Sequence, residues 1–147
     1  MKLKVAWIGK TREPAIQALT AEYLKRLSAY SQLEPLALGS EAALLNLATP
    51  SANRPPARVV LLDSRGKQFT SEEFARFLEE QQNRGSQPLL FAVGPANGFS
   101  EQARKAASVL VSLGKMTLPH ELARVVLLEQ LYRAFTILKG HPYHLGH

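Results

Sequence analysis

The carboxyl-terminal end of the chain holds the residue types best suited to moving protons. Residues 140–147 read GHPYHLGH and include His141, Tyr143 and His144. Histidine gains and loses a proton near neutral pH, and histidine and tyrosine rings both stack on nucleobases and hydrogen-bond to their edges. The tail therefore predicts a segment that closes over a nucleotide base, although a loosely packed terminus would have the same composition.

A metal site is another interpretation of this tail, because His141, His144 and His147 are three residues apart. Pro142 interrupts the helical geometry that would bring the three rings to one face, and the only aspartate of the chain is the distant Asp63. The chain has no cysteine, which excludes thiolate zinc sites and cysteine nucleophiles. We therefore expect no metal.

Three loops follow short apolar runs, and two of them contain glycines that let a backbone approach a ligand. Gly94 and Gly98 frame one loop and Gly114 begins another, and glycine has no Cβ to obstruct a close contact. The first of these lacks both the G-x-G-x-x-G pattern and the lysine of a phosphate-binding loop, so a strand-to-helix turn that needs glycine explains it as well. The three loops are residues 63–67, 94–100 and 114–119.

The elements that position these loops alternate between strand-like and helix-like segments. Apolar runs predict strands at 3–8, 33–38, 59–62, 89–93 and 109–113. Helical spacing and capping residues predict helices from 14 onward, at 40–47, from 70 to about 85, at 101–107 and at 120–139. Strands that alternate with helices pair in parallel, which predicts an α/β fold of three layers with a mostly parallel sheet.

Some residues refine these elements. Pro35 favours an edge position for the second strand, and Thr70 with Glu73 forms a capping-box pattern. The first helix is expected to bury one face, and residues 64–67 are expected to form a turn that ends the third strand. The expected buried face of the first helix consists of Ile16, Leu19, Tyr23 and Leu27.

The chain length of 147 residues predicts a single domain over residues 1–147. In a parallel α/β sheet, ligands bind beyond the carboxyl ends of the strands, which is where the three loops are expected to lie. No apolar run approaches the about 20 residues of a membrane span, so we expect a cytoplasmic protein with no membrane association.

The last predicted helix has an unusually broad apolar surface. A helix that is apolar on two sides must bury both of them, one against its own sheet and the other against a second chain. This width favours a homodimer, and a central helix in a monomer is the alternative. The apolar residues are Leu122, Val125, Val126, Leu128, Leu131, Tyr132, Phe135 and Leu138.

The charge of the chain is concentrated in the same region. Of the formal net charge of +6, residues 102–147 contribute +4, and they also contain all four histidines. A basic balance permits binding to nucleic acid through its phosphates, although many enzymes are equally basic.

Several segments together resemble the ribosomal RNA large subunit methyltransferase H family. They are LGKMTLPHELARVVLLEQLYRAF at 113–135, HPYH at 141–144, and the opening LKVAWIGK followed by AEYLKRL. The stretch from Thr117 to His120, together with Arg124 and Val125, is the most diagnostic. Members of this family are small SPOUT-class enzymes that methylate N3 of a pseudouridine in 23S rRNA, using S-adenosylmethionine as donor.

The resemblance implies a C-terminal trefoil knot, a homodimer and a bent S-adenosylmethionine held by three loops. It implies no metal, because the sulfonium methyl group is already activated for in-line displacement. The family commonly has a second glycine where this chain has Pro95, and residues 39–57 are shorter and less charged than usual. The implied cofactor-binding residues are Leu62, Gly94, Leu113, Gly114, Lys115, Met116, Thr117 and Leu118.

The resemblance also places Tyr143 and His144 in a composite site at the dimer, with His141 near the RNA. The imino proton of N3 must leave, and either His144 accepts it or Tyr143 positions the base. Arg124 and Arg133 are candidate contacts to RNA, and an ion pair between Arg133 and the glutamate four residues before it is the alternative. Two other functions stay open: a non-catalytic RNA-binding protein on the same fold and a nucleotide-binding domain with no RNA role.

Overall fold

The computed structural model describes residues 2–145, which form a five-stranded sheet flanked by helices. The strands are β1 (Lys2–Ile8), β2 (Gln32–Leu38), β3 (Arg58–Gln68), β4 (Leu89–Val93) and β5 (Val109–Ser112). The helices are α1 (Pro14–Leu27), α2 (Glu41–Ala48), α3 (Ser71–Asn83), α4 (Glu101–Ala106) and α5 (His120–Leu138), followed by a 3₁₀ turn at Pro142–Leu145.

The sheet has the order β2-β1-β4-β3-β5, and every neighbouring pair of strands is parallel. Side chains of α1, α3 and α5 cover one face, and those of α2 and α4 cover the other. The prediction of a three-layer α/β fold is therefore confirmed, while the trefoil knot and the single domain stay predictions. Among the described residues, no helix is long and apolar enough to cross a membrane.

Strand β2 lies at the edge of the sheet, as its proline predicts. Pro35 pairs in register with Val5 of β1, and β2 has no strand on its other side. A proline lacks the N–H that an inner strand would need for a second ladder, so an edge is where it is tolerated.

Strand β3 does not end where the sequence predicts. Leu62 pairs with Val111, residues 63–66 leave the ladder, and Lys67 then pairs with Val111 again. A Cβ on Gly66 would lie 2.5 Å from the backbone carbonyl carbon of Leu110, so only glycine allows this return to β5. The predicted turn is thus wrong as an end to β3: it is an irregularity within a longer strand.

Capping residues start three of the helices, and the predicted capping box at Thr70 is confirmed. The Thr70 hydroxyl accepts a hydrogen bond from the Glu73 N–H at 3.1 Å, and the Glu73 carboxylate accepts one from the Thr70 N–H at 2.7 Å. The hydroxyls of Ser40 and Ser100 cap α2 and α4 through single bonds of this kind. Each satisfies an N–H that the first helical turn leaves without a partner.

The buried face of α1 keeps Ile16, Tyr23 and Leu27 of the predicted face, but Thr20 takes the place of Leu19. Thr20 and Leu27 are buried and Tyr23 is half-buried, whereas Leu19 is 42% exposed. The stripe that packs against α5 therefore follows 20, 23 and 27, and the assignment of Leu19 to it was wrong. Apolar periodicity does not predict this face correctly, because one of its buried residues, Thr20, is polar.

Helix α5 packs between α1 and α3, which buries Leu127, Leu128 and Leu131 completely. This accounts for much of its broad apolar surface within one chain. Leu122 is still 40% exposed near the start of the helix. The homodimer that the helix suggested stays a prediction.

Candidate functional site

A cavity of about 320 Å³ lies at the carboxyl edge of the sheet, where β4 and β5 end and where β3 leaves its ladder after Leu62. All the predicted cofactor residues except Lys115 line it; Lys115 is exposed on the same loop. Small-molecule sites usually have volumes of about 300–1,000 Å³, so the cavity is large enough for a compact ligand. The predicted residues in its wall are Leu62, Gly94, Leu113, Gly114, Met116, Thr117 and Leu118.

The wall that follows β4 is a closed turn built around two glycines. The Gly98 N–H donates to the Pro95 carbonyl at 2.9 Å, and Gly98 has a φ of +81°, which favours glycine. A Cβ on Gly94 would lie 3.0 Å from the ring of the buried Phe99. Both glycines are thus required by the turn itself, and Pro95 is its first residue.

The loop that follows β5 is held by hydrogen bonds at Gly114 and is exposed to solvent at Met116. The Ser112 hydroxyl donates to the Gly114 carbonyl at 2.9 Å and accepts from the Gly114 N–H at 3.1 Å, and Gly114 has a φ of +145°. Two residues on, Met116 is 87% exposed. A large apolar side chain in water at a cavity mouth is available to cover an incoming ligand.

An ion pair that the sequence analysis missed fixes the wall that follows residue 62. The Asp63 carboxylate accepts from Arg104 Nε at 2.8 Å and from the Arg65 N–H at 2.8 Å. Burial by itself would raise the pKa of Asp63, but the hydrogen bonds from Arg104 and Arg65 outweigh it and hold this pKa below its usual value. The carboxylate therefore stays ionised and ties the loop to α4.

The first turn of α5 presents its residues in two directions. His120 and Ala123 line the cavity, while Glu121 and Arg124 contact the loop that follows β1. The guanidinium carbon of Arg124 lies 4.2 Å from the centre of the Trp7 ring, and its Nη1 donates to the Thr11 hydroxyl at 2.6 Å.

Arg124 was a candidate RNA contact, but its side chain is directed into the protein. The residue is only 2% exposed, and its Nε is buried with no hydrogen-bond partner in the described part of the chain. Burial lowers the pKa of Arg124, although Glu121 opposes this shift, and an arginine stays charged in any case. In this structure the Arg124 guanidinium faces Trp7 and Thr11, and its contact with RNA stays a prediction.

The predicted catalytic tail is anchored at the other end of α5, within a cluster of aromatic rings. Tyr143 Oη donates to a Glu129 carboxylate oxygen at 2.8 Å and lies 3.4 Å from the hydroxyl of Tyr23. The Tyr143 ring meets the Tyr132 ring edge to face, with centroids 4.7 Å apart. The tail is therefore held by specific contacts, in contrast to the loosely packed terminus that was the alternative.

The other tail residues extend this cluster. The hydroxyl of Tyr30 lies 2.6 Å from His141 Nδ1, and His144 Nδ1 lies 3.2 Å from the His141 carbonyl oxygen. His141 is exposed and His144 is half-buried. His147, the third histidine of the metal interpretation, lies outside the described residues, and within residues 2–145 no group of three or more potential ligands surrounds a metal position.

Arg133 is part of the same network. Its guanidinium forms an ion pair with Glu129, with an Nη2–Oε2 distance of 2.6 Å. The guanidinium carbon, Cζ, lies 5.2 Å from the centre of the Tyr143 ring. The intrahelical ion pair that was the alternative to RNA binding is therefore present. This ion pair also orients the Glu129 carboxylate, which accepts the hydrogen bond from the Tyr143 hydroxyl.

The surroundings of Tyr143 keep its hydroxyl protonated. Burial raises its pKa first, and the hydrogen bonds with Tyr23 and Glu129 raise it further. At neutral pH, Tyr143 is thus a hydrogen-bond donor and not a base.

Within one chain, the described tail residues, up to Leu145, do not line the cavity. The cavity includes His120 at the start of α5, whereas Tyr143 contacts Glu129 and Tyr132 from the middle of that helix onward. The structure therefore brings together the predicted cofactor residues at the start of α5, and separately the predicted tail residues farther along the same helix.

The fold and the cavity define a class of protein. A fully parallel α/β sheet with glycine turns around a cavity at the carboxyl ends of its strands is typical of proteins that bind a nucleotide-like molecule there.

Comparison with known proteins gives the family. The family model described as "Predicted SPOUT methyltransferase" matches residues 1–144. A ribosomal RNA large subunit methyltransferase H from Koribacter versatilis is 59% identical over 147 residues, with both chains fully covered. The protein of the same name from Gloeobacter violaceus is 46% identical over 154 residues, covering 99% of this chain and all of its own. The chain therefore belongs to the SPOUT methyltransferase family, and the resemblance found in the sequence is confirmed.

The solved structures agree on the fold. A probable methylase family protein from Haemophilus influenzae Rd KW20 superposes with a TM-score of 0.62 over 96% of this chain and 69% of its own, at 9% sequence identity. At that identity, the likeness concerns the architecture alone.

Proposed function

We propose that this protein transfers the methyl group of S-adenosylmethionine to N3 of a pseudouridine in the 23S rRNA of the large ribosomal subunit. The observation that carries the proposal is the cavity at the carboxyl edge of the sheet. Its wall contains the cofactor residues expected from the family, apart from Lys115, in a chain that is 59% identical to a ribosomal RNA large subunit methyltransferase H.

The cavity has the chemistry that such a donor needs. Leu62, Leu113 and Leu118 supply apolar surface for an adenine ring, and the turns at Gly94 and Gly114 expose backbone groups that can read its edge. When bound, S-adenosylmethionine supplies a methyl group that is already activated by the sulfonium, so the residues around it need only hold and orient it.

We propose that the working unit is a homodimer in which the tail of one chain completes the cavity of the other. Tyr143 and His144 do not line the cavity of their own chain: Tyr143 contacts Glu129 and Tyr132 from the middle of α5 onward, whereas the cavity lies at the start of that helix. A tail that acts on the methyl group must therefore meet a cavity on a second chain. The exposed Leu122 and Met116 provide apolar surface near the cavity for that chain to cover.

Within this composite site, we assign the proton transfer to His144. Tyr143 is a donor that is already engaged by Glu129, whereas an imidazole accepts a proton near neutral pH. His144 would take the imino proton of N3 as the nitrogen–methyl bond forms and the methyl–sulfur bond breaks. Tyr143 would then position the tail, and His141 would contact the RNA beside the target base.

The test uses ribosomal particles from a strain that lacks this gene. The purified protein and S-adenosylmethionine are added to free 23S rRNA, to large subunits and to assembled ribosomes, and the modified base is mapped. We expect one methyl group on N3 of a pseudouridine in at least one of these substrates. Calorimetry with S-adenosylmethionine accompanies the assay: if the dimer does not bind the donor, the methyltransferase proposal is wrong, and a non-catalytic RNA-binding protein on this fold becomes the alternative to test.

A further inference from the structure

The loop that follows β1, residues 9–13 with the sequence GKTRE, is clamped to the first turn of α5. A Glu121 carboxylate oxygen accepts hydrogen bonds from the N–H groups of Arg12 and Glu13 at 3.0 and 3.4 Å. Arg124 donates to the hydroxyl of Thr11 at 2.6 Å. Backbone and side chain of the loop are thus both held by the helix whose next residues line the cavity.

The clamp, formed by Glu121 and Arg124, includes a charged side chain whose burial is energetically unfavourable. Arg124 is buried to 98%, stacked on Trp7, and its Nε finds no partner among residues 2–145. Burying a charged group with incomplete hydrogen bonding is unfavourable, so a simple packing position would be served better by an apolar residue. What this buried charge does in the structure is to hold the 9–13 loop, through its hydrogen bond to Thr11.

The loop presents two positive charges to solvent. Lys10 and Arg12 are exposed, and neither side chain has an ion pair or hydrogen bond with any other residue that the structure describes. Arg104 and Arg133, by contrast, are both paired with carboxylates.

Two acidic residues lie near these charges. Glu13 is exposed at the end of the loop, and Glu121 is occupied by the two backbone N–H groups. The loop therefore keeps a positive balance.

The 9–13 loop lies at the same edge of the sheet as the cavity. Trp7 at the end of β1 pairs with Val93 at the end of β4, and Val93 and Gly94 line the cavity. The 9–13 loop therefore leaves the sheet at the same edge as the cavity, beside His120. An extended polyanion whose target base enters the cavity region would pass over this edge.

We propose that the 9–13 loop binds the phosphate backbone of the substrate RNA next to the target nucleotide, with Lys10 and Arg12 as the contacts. Arg124 and Glu121 are then positioning residues that hold the loop, and Arg124 is not itself an RNA contact. Contacts to phosphate fix the placement of an RNA without reading its sequence. This inference rests on the proposed methylation of RNA and adds the surface that the substrate uses.

The test compares the double variant K10Q/R12Q with K2Q/R84Q as a matched control. The control removes the same two charges from exposed residues at the opposite edge of the sheet, at the start of β1 and after the end of α3. In the test variant the clamp is kept, because Arg12 takes part through its backbone N–H. Binding to undermethylated large subunits is titrated at several salt concentrations, and methyl transfer is measured in parallel.

For K10Q/R12Q we expect RNA affinity about tenfold weaker at low salt, and a log–log salt slope shallower by about 1.4, the value for two phosphate contacts on single-stranded RNA. KM for the particles should rise while kcat and the affinity for S-adenosylmethionine stay unchanged. The control should match the wild type. If K10Q/R12Q binds and responds to salt as the control does, the loop proposal is wrong.

The binding titration separates this failure from failure of the proposed function. If the wild type binds rRNA but transfers no methyl group, the proposed function fails, and the salt slopes still decide about the loop. An acidic protein as the true partner would show as a variant with normal rRNA binding, which contradicts the proposal.

Arg124→Lys tests the positioning role. Lysine keeps the charge but loses the flat stack on Trp7 and the reach to Thr11. We expect the KM for particles to rise and the salt slope to become shallower, together with a change in the fluorescence of Trp7, the only tryptophan. If Arg124→Lys fails to fold, Glu121→Ala releases the backbone of the loop instead and should raise the KM in the same way. A normal KM and slope in a folded variant would overturn the positioning role.

Discussion

The two ends of helix α5 carry two halves of one proposed site, and they are built in different ways. At its start, the cavity is formed by turns of the backbone that require Gly94, Gly98 and Gly114. At its end, the tail is held by side chains, with Glu129 and Tyr132 receiving Tyr143. The four tyrosines of the chain all lie at this second end.

This difference assigns different work to the two ends. In the proposed function, the backbone turns at the strand ends bind the methyl donor, which is the same molecule in every catalytic cycle. The aromatic rings and the Glu129 carboxylate around Tyr143 can position the tail side chains that, in the proposed function, act on the substrate. Changes in the cavity wall should therefore alter donor binding, and changes in the tail should alter turnover.

The largest effect is expected from removal of the tail after Gly140. The truncated chain lacks Tyr143 and His144, so methyl transfer should fall by about 10³-fold or more, the range for loss of a general base together with positioning. Affinity for S-adenosylmethionine, measured by calorimetry, should stay at the wild-type value because the cavity is at the other end of α5. Full activity without the tail would remove the distinction between the two ends.

Gly94→Ala should have the next largest effect, on the cavity. The added Cβ would lie 3.0 Å from the ring of Phe99, so the turn must shift. We expect affinity for S-adenosylmethionine to fall about tenfold and the free energy of unfolding to fall by about 1–3 kcal/mol. Gly39→Ala is the control, since that Cβ would meet nothing within 4 Å. Equal donor affinity in the two variants would contradict the role given to the turn.

Tyr143→Phe should affect the other end. The ring stays in place, but the hydrogen bond to Glu129 is lost, which should lower the free energy of unfolding by about 1 kcal/mol. We expect kcat to fall about tenfold, as a tail held less firmly presents His144 less often. Tyr132→Phe is the matched control because the structure shows no hydrogen bond for that hydroxyl within residues 2–145. A fall in donor affinity, with normal kcat, would reverse the assignment of the two ends.

The smallest effect concerns Asp63, which pairs with Arg104 in the cavity wall. Its pKa is lower in the folded chain than in the unfolded chain, where it is about 3.9. The stabilisation is therefore complete above that value and is lost as the pH falls through the folded-state pKa. Asp63→Asn should be about 1–2 kcal/mol less stable than the wild type at pH 7 in urea unfolding, and the difference should shrink below about pH 4. A difference that does not depend on pH would contradict the ionised pair with Arg104.

The cavity could be predicted from the sequence because it follows from a rule about backbones. Once strands alternate with helices, the residues after them share one edge, and Leu62, Gly94 and Gly114 fall there. The capping box at Thr70 and the edge position of Pro35 could also be predicted, because each depends on the chemistry of a few neighbouring residues.

The contacts between side chains could not be predicted in this way. Asp63 and Arg104 are 41 residues apart, Thr11 and Arg124 are 113 apart, and Tyr23 and Tyr143 are 120 apart. No periodicity links such pairs, and only tertiary packing brings them together: that of α4 beside β3 for the first pair, and that of α5 and the tail against the loop after β1 and α1 for the other two. The inward direction of Arg124 belongs to this group, because a sequence pattern cannot distinguish an arginine that faces RNA from one that stacks on a buried ring.

The most direct test of the account asks whether the two ends of α5 work across two chains. The variant truncated after Gly140 keeps the cavity and lacks the tail, and Gly94→Trp keeps the tail and fills the cavity wall beside Phe99. Each is expected to be inactive alone. An equal mixture, unfolded and refolded together, should recover about a quarter of wild-type methyl transfer, because half of the dimers are mixed and each carries one complete site. A purified mixed dimer with no activity would contradict the composite site.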